Sequence, residues 1–267
     1  MAKKIKKGLV IGDSHTAMII KAWRGNPVGF PLLDLEFLAQ PGNGPRGVEF
    51  SRNQIRAREF SLIEFLQKTD CALDYDLTKF DFIAVVGCGL SLYPVLPVLN
   101  KYSVVSSPSS RTKDNTLRKN LKNPMLSLGC FRALIADILR ATTHVDFVAN
   151  LRANCDLPIV IIPQPLPSEK MAGQADKGPQ FERVIRNKDA TFAYSVFLDG
   201  VRDVAAGFSD VAVIAQPDNT IAQHIYTKLE FTAGATTLYN LNKAQPIEDT
   251  LHANALFGAL VLDALNA

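Results

Sequence analysis

Short runs of β-branched and aliphatic residues recur along the chain between longer stretches whose apolar positions step by three and four. That alternation is expected of a parallel sheet covered by helices on both faces, an α/β fold. Five runs predict the core strands: Lys6 to Ile11, Leu32 to Leu38, Phe82 to Val86, Ile159 to Ile162 and Val211 to Ile214. Leu128, Phe131, Leu134, Ile135, Ile138 and Leu139 share one face of an amphipathic helix whose apolar side should cover the sheet. Further helices are expected over His15 to Trp23, from about Glu182 to Ala206, and over Ala255 to Leu265.

Two stretches interrupt this pattern. From Leu92 to Asn123, Pro94, Pro97, Pro108 and the run Ser106-Ser107-Pro108-Ser109-Ser110 argue against regular structure and predict a long surface excursion. It carries Lys101, Arg111, Lys113, Arg118, Lys119 and Lys122 against a single Asp114, and reads as a solvated basic loop. A second Pro- and Gly-rich excursion covers Pro163 to Pro179. With no internal repeat, the expectation is a single domain over residues 1–267 with surface insertions around 92–123 and 163–179.

Composition narrows the function classes. Lys plus Arg exceed Asp plus Glu by only 29 − 26 = 3 over 267 residues, too small a surplus for a surface built to neutralise nucleic-acid phosphates. Cys71, Cys88, Cys130 and Cys155 lie far apart, with no C-x-x-C pair and no histidine at metal-ligand spacing, so they read as reduced thiols and not as a zinc site. The basic start Met1 to Lys7 is followed by only Leu9-Val10-Ile11 before Gly12-Asp13, too short for a signal-peptide core, and no run approaches the eighteen or so apolar residues of a membrane span. The expectation is a cytoplasmic protein without a membrane span or nucleic-acid partner. Oligomeric state is not legible in the sequence.

The first strand runs directly into Gly12-Asp13-Ser14-His15 and then a helical pattern, which places Ser14 in a strand-to-helix turn at the carboxyl end of the sheet, where open α/β sheets bind ligands. A serine there can attack a carbonyl while its own N–H, near a helix N-terminus, helps hold the resulting oxyanion. The competing reading is that Asp13 or Ser14 caps the helix. A serine hydroxyl needs a base, usually a histidine oriented by a carboxylate. Of four histidines, His144 and His224 read as surface or capping residues, and His15 is adjacent to Ser14, where side chains usually diverge. His252 stands three residues after Asp249 in Asp249-Thr250-Leu251-His252, a step that can bring carboxylate and imidazole together.

With Val10-Ile11-Gly12-Asp13-Ser14-His15 near one end and Asp249-Thr250-Leu251-His252-Ala253-Asn254 with Gly258 near the other, the chain resembles the SGNH, or GDSL-type, hydrolase superfamily over nearly its whole length. The resemblance implies a three-layer α/β/α sandwich similar to flavodoxin, with a mainly parallel five-stranded sheet. It implies Ser14 as nucleophile, His252 as general base and Asp249 as its orienting carboxylate, with no cofactor and no metal.

The superfamily also uses a glycine N–H after the second strand and an asparagine side chain after the third as oxyanion donors. Gly42, ahead of Gly44, in Gln40-Pro41-Gly42-Asn43-Gly44 is placed to supply the first, the competing reading being an ordinary glycine turn. The third strand ends in Gly87-Cys88-Gly89, so Gly89 stands where the asparagine is expected, and its backbone N–H, Asn43 or Ser91 is left to substitute. Losing one such donor costs about 3 kcal/mol of transition-state stabilisation. Cys88 beside the site raises a thiol-nucleophile reading, but free cysteines are more often buried and inert. Gly87-Cys88-Gly89 lacks the third glycine of a dinucleotide loop, and Gly8 to Gly12 lacks the Lys-Ser/Thr ending of a phosphate loop. The expectation is a serine esterase removing an acyl group, acetyl among the candidates, from a small-molecule or carbohydrate ester through an acyl-enzyme. The alternatives are an O-acyltransferase acting on a glycan and a catalytically weak ligand-binding module on the same fold.

Overall fold

The structure is a computed structural model that describes residues 4–111, 123–176 and 178–267. Its centre is a five-stranded, wholly parallel sheet built from β1 (Lys6–Gly12), β2 (Leu33–Ala39), β3 (Phe82–Val86), β4 (Ile159–Ile162) and β5 (Val211–Val213), in the order β5-β4-β3-β1-β2. Each strand lies within one residue of the run that predicts it. The interior strands are buried on both faces, which is why they read as continuous apolar runs: Leu9, Val10 and Ile11 of β1 and Ile83 to Val86 of β3 are inaccessible to solvent.

Eight α-helices of seven residues or more accompany the strands among the described residues, besides a four-residue helix at Pro108–Arg111 and short 3-10 turns: α1 (Thr16–Gly25), α2 (Phe60–Lys68), α3 (Val95–Lys101), α4 (Leu128–Arg140), α5 (Thr143–Asn154), α6 (Gly178–Arg186), α7 (Ala190–Ala205) and α8 (Ala255–Asn266). α1 packs on α8, α4 packs on α7, and α5 lies against β3. The arrangement is α/β and compatible with a three-layer sandwich. Among the described residues no helix is long and apolar enough to cross a membrane.

Several expectations are corrected. The helix expected from Glu182 to Ala206 is two helices, because Lys188 takes a left-handed backbone (φ 61°) between α6 and α7, and a single such residue is invisible to periodicity. The stretch from Leu92 to Asn123 is not simply a surface loop. It holds α3, with Val95 and Leu96 fully buried, and Ser103–Val104 pairs in parallel with Met125–Leu126. Pro97 is tolerated because it is the third residue of α3, where the amide hydrogen has no intrahelical acceptor to lose. Lys113, Asp114, Arg118, Lys119 and Lys122 lie outside the described residues. The excursion from Pro163 to Pro179 also has an interior: Ser168 and Met171 are fully buried.

Of the remaining two histidines, His144 departs from the expectation and His224 keeps to it. His144 is not a surface residue but is buried in the first turn of α5. His224 is exposed, in the three-residue loop Gln223 to Ile225 that joins Ile221–Ala222 to the antiparallel Tyr226–Thr227; Gln223 and His224 both have positive φ, 48° and 61°.

Candidate active site

Asp13, Ser14 and His15 form the turn between β1 and α1, at the carboxyl edge of the sheet. The turn is fixed from below by Asp13, which is fully buried yet ionisable. Its Oδ1 accepts the N–H of His15 at 2.9 Å, and its Oδ2 accepts the N–H of Cys88 at 2.7 Å and Nε2–H of Gln164 at 3.1 Å. Three donors from three segments satisfy a carboxylate that would otherwise be costly to bury. Ser14 is left partly exposed above it.

The far end of the chain arrives by close helix packing. A Cβ built on Gly258 would lie 2.1 Å from the backbone oxygen of Met18, so α8 rests its backbone directly on α1. Just upstream of α8, Asn254 caps the helix, its Oδ1 accepting from Leu256 and Phe257 at 3.0 and 3.3 Å, while its Nδ2 donates to the carbonyls of Glu230 and Ala233. The loop before it is braced by the excursion at 163–179: Ser168 N–H donates to Thr250 O, Lys170 Nζ to Ile247 O and Gln174 Nε2 to Glu248 O.

These constraints put Ser14, His252 and Asp249 in a continuous relay. His252 Nε2 lies 2.9 Å from Ser14 Oγ, and its Nδ1 lies 2.9 Å from Asp249 Oδ1. Asp249 Oδ2 also accepts the backbone N–H of His252 at 3.0 Å, and Oδ1 that of Leu251 at 3.4 Å. Burial alone would raise the Asp249 pKa, but the bond to the His252 ring, the imidazolium charge and the two backbone donors together bring it below the ordinary carboxylate value. With Nδ1–H directed to an ionised carboxylate, Nε2 presents its lone pair to the serine hydroxyl. The Ser14 hydroxyl is therefore engaged by His252 and does not cap α1, and the Asp13 carboxylate bonds the N–H of the residue before the helix.

The chain matches no family model and no curated protein.

The other expected site residues sit in the two loops that flank the Ser14 turn. The Gln40–Gly44 loop follows β2 and is tied to β1 by Gln40 N–H to Gly12 O at 3.1 Å. Gly42 and Asn43 in it are exposed, and Gly42 has φ +89°. Beside them a cleft of about 290 Å³ is lined by Gln40 to Asn43, Arg46, Glu59 and Ser61. The β3 loop holds Gly87, Cys88 and Gly89 at φ 69°, 51° and 85°. The N–H groups of Ser14, Gly42 and Gly89 donate to no protein acceptor among the described residues, and Asn43 makes no side-chain hydrogen bond there. Ser91 is buried. A larger cleft, about 820 Å³ between α1, α2, α8 and the 238–242 turn, is lined by none of the three relay residues.

Three further groups lie around the Ser14 turn and the β3 loop; Cys88 was expected beside the site, His15 and His144 were not. The His15 ring stacks on that of His252. His144 is completely buried beneath the β3 loop, its ring Nδ1 2.9 Å from Gly87 O and its N–H bonded to Cys88 O at 3.0 Å. Burial outweighs the bond to Gly87 and the nearby Asp13 charge and lowers its pKa to about 4, so the ring is neutral and donates from Nδ1. The Cys88 thiol is buried, and both burial and the Asp13 charge push its pKa up, which argues against a thiolate nucleophile. Of these, only the Gly-Cys-Gly run carried a sequence signal.

Proposed function

We propose that this protein is a serine-dependent acyl-ester hydrolase of the SGNH kind, acting on a small-molecule or carbohydrate ester. The observation that carries the reading is the hydrogen-bonded relay from Ser14 through His252 to Asp249, formed between residues 238 positions apart in the chain. The parallel strand order, with the Ser14 turn at the end of β1 between the central strand β3 and the edge strand β2, supports a flavodoxin-like three-layer sandwich.

Ser14 Oγ attacks the ester carbonyl carbon as its proton passes to His252 Nε2. Asp249 stabilises the imidazolium and keeps Nδ1 protonated throughout. The tetrahedral oxyanion is held by the unpaired N–H groups available on this edge, with Ser14, Gly42 and Gly89 as the candidates. Collapse breaks the ester bond, and the alcohol leaves with the proton from Nε2. Water, losing a proton to His252, then attacks the acyl-serine, and the carboxylic acid departs as Ser14 recovers its hydrogen.

Gly89 supplies no side-chain amide, so the oxyanion here would rest on backbone donors, a weaker set by about one contact. A relay already assembled favours catalysis over a pure binding module, since ligand binding alone makes no demand for it. Transfer of the acyl group to a sugar hydroxyl uses the same acyl-enzyme, and products formed with and without glycan acceptors distinguish the two outcomes. The primary test is labelling by a fluorophosphonate probe together with hydrolysis of a short aryl ester. Both are expected of the wild type and lost in Ser14→Ala; labelling that persists in Ser14→Ala refutes the nucleophile.

A further inference from the structure

We propose that His15 is a positioning residue for the general base, its ring serving as the wall against which the His252 imidazole is held in line between Ser14 and Asp249. The proposal rests on the hydrolase reading and adds a component to it.

Two hydrogen bonds, one at each ring nitrogen, fix two points in the plane of the His252 imidazole. Hydrogen bonds resist bending out of the ring plane only weakly, so the ring can slip or pitch along its normal, and that movement carries the Nε2 lone pair off the serine proton. A flat group against one face removes that freedom. The His15 ring lies there, its centroid 4.9 Å from that of His252 and the two planes 26° apart, an offset stack within the range of favourable aromatic contacts.

His15 is itself immobilised. It is 6% exposed, and its backbone N–H is bonded to the buried Asp13 carboxylate. Its Nδ1 is buried and has no hydrogen-bond partner among the described residues, so at that nitrogen the imidazole contributes shape and not polarity. Burial also lowers the affinity of His15 for a proton, which keeps a second positive charge away from the imidazolium formed during attack.

If shape is the contribution, phenylalanine should replace histidine. Three readouts on His15→Phe and His15→Ala test this: kcat and KM for the aryl ester, thermal unfolding, and the low-field proton resonance of the His252 Nδ1–H. His15→Phe is expected to keep kcat within about threefold and to unfold no earlier than wild type, because it removes a buried nitrogen without a partner. His15→Ala is expected to lose about tenfold to a hundredfold in kcat with KM little changed, the scale of a modest misalignment of reacting groups, and its low-field resonance should broaden or vanish. The resonance reports base alignment whether or not the protein turns over, so it serves if either variant is inactive. A His15→Ala protein with wild-type kcat and an unaltered resonance overturns the proposal. So does a folded His15→Phe as impaired as His15→Ala, which would assign the work to a ring nitrogen. Wild-type protein that shows the resonance but neither labels nor hydrolyses removes the esterase reading alone.

Discussion

Replacing Asp249 with asparagine isolates the electrostatic half of the relay while leaving nearly every atom in place. In the wild type, Oδ1 receives Nδ1–H of His252 at 2.9 Å and Oδ2 receives the His252 backbone N–H at 3.0 Å. An asparagine can match only one of these with its oxygen. With the amide oxygen at the Oδ1 position, its NH2 group faces the backbone N–H, donor against donor. With the amide flipped, the oxygen satisfies the His252 backbone N–H and the NH2 group donates to Nδ1, which gives up only the long 3.4 Å bond from Leu251 N–H but moves the ring proton to Nε2. The comfortable arrangement is therefore the one in which the base has no lone pair for Ser14.

A second loss is added, because no negative charge faces the imidazolium of the transition state. At an effective dielectric of 20, unit charges about 4 Å apart attract by about 4 kcal/mol, and each 1.36 kcal/mol is about tenfold in rate. Asp249→Asn should thus slow both fluorophosphonate labelling and aryl-ester hydrolysis by at least about a thousandfold, with unchanged circular dichroism. A folded Asp249→Asn protein within tenfold of wild type would refute the assignment of Asp249.

Two further perturbations read the scaffold. Gly258→Ala pushes a methyl group into the Met18 carbonyl, and forcing α1 and α8 apart should cost about 1–3 kcal/mol in urea unfolding and reduce hydrolysis as Ser14 and His252 separate; unchanged stability would show that the helices yield freely. His144 gives a pH signature: its pKa is lowered from 6.5 unfolded to about 4 folded, so the unfolded chain takes up a proton first and stability falls as pH drops through that interval, by about 3 kcal/mol in all. His144→Gln, which can still donate to Gly87 O, should lose less stability than wild type between pH 7 and pH 4, and parallel curves would contradict the buried neutral ring.

The sheet was legible because interior parallel strands must be apolar on both faces, and β3 and the part of β1 after Lys7 offer no polar position to blur the pattern. The breaks were not. Lys188 divides α6 from α7 through a backbone angle, and Pro97 sits in α3 without harm, facts about local geometry that composition does not encode. Of the site, the relay could be anticipated because Ser14 lies at a strand end and Asp249 and His252 share a short step. His15 could not, since helical spacing rules do not apply in the turn that precedes α1. His144 was misread for a related reason: α4 ends at Arg140 and α5 starts at Thr143, so a residue that seems to trail one helix belongs to the buried first turn of the next.

The β3 loop shows why the Ser14 turn carries an aspartate. Three successive left-handed residues are unusual, and the middle one, Cys88, is not glycine, a conformation that costs about 1–2 kcal/mol. Against that cost stand a charge-assisted bond from Cys88 N–H to Asp13 at 2.7 Å, worth about 1.5–3 kcal/mol, and two bonds from His144 to the Gly87 and Cys88 carbonyls, each worth about 1 kcal/mol. The bonds exceed the strain. A Cβ at Gly87 would fall 2.4 Å from Asp13 Oδ1, so the close approach that makes the bond to Cys88 requires glycine there. Asp13 thereby joins the turn bearing Ser14 to the loop bearing Gly89. The same carboxylate that orders the Ser14 turn also fixes the backbone that carries the unpaired Gly89 N–H.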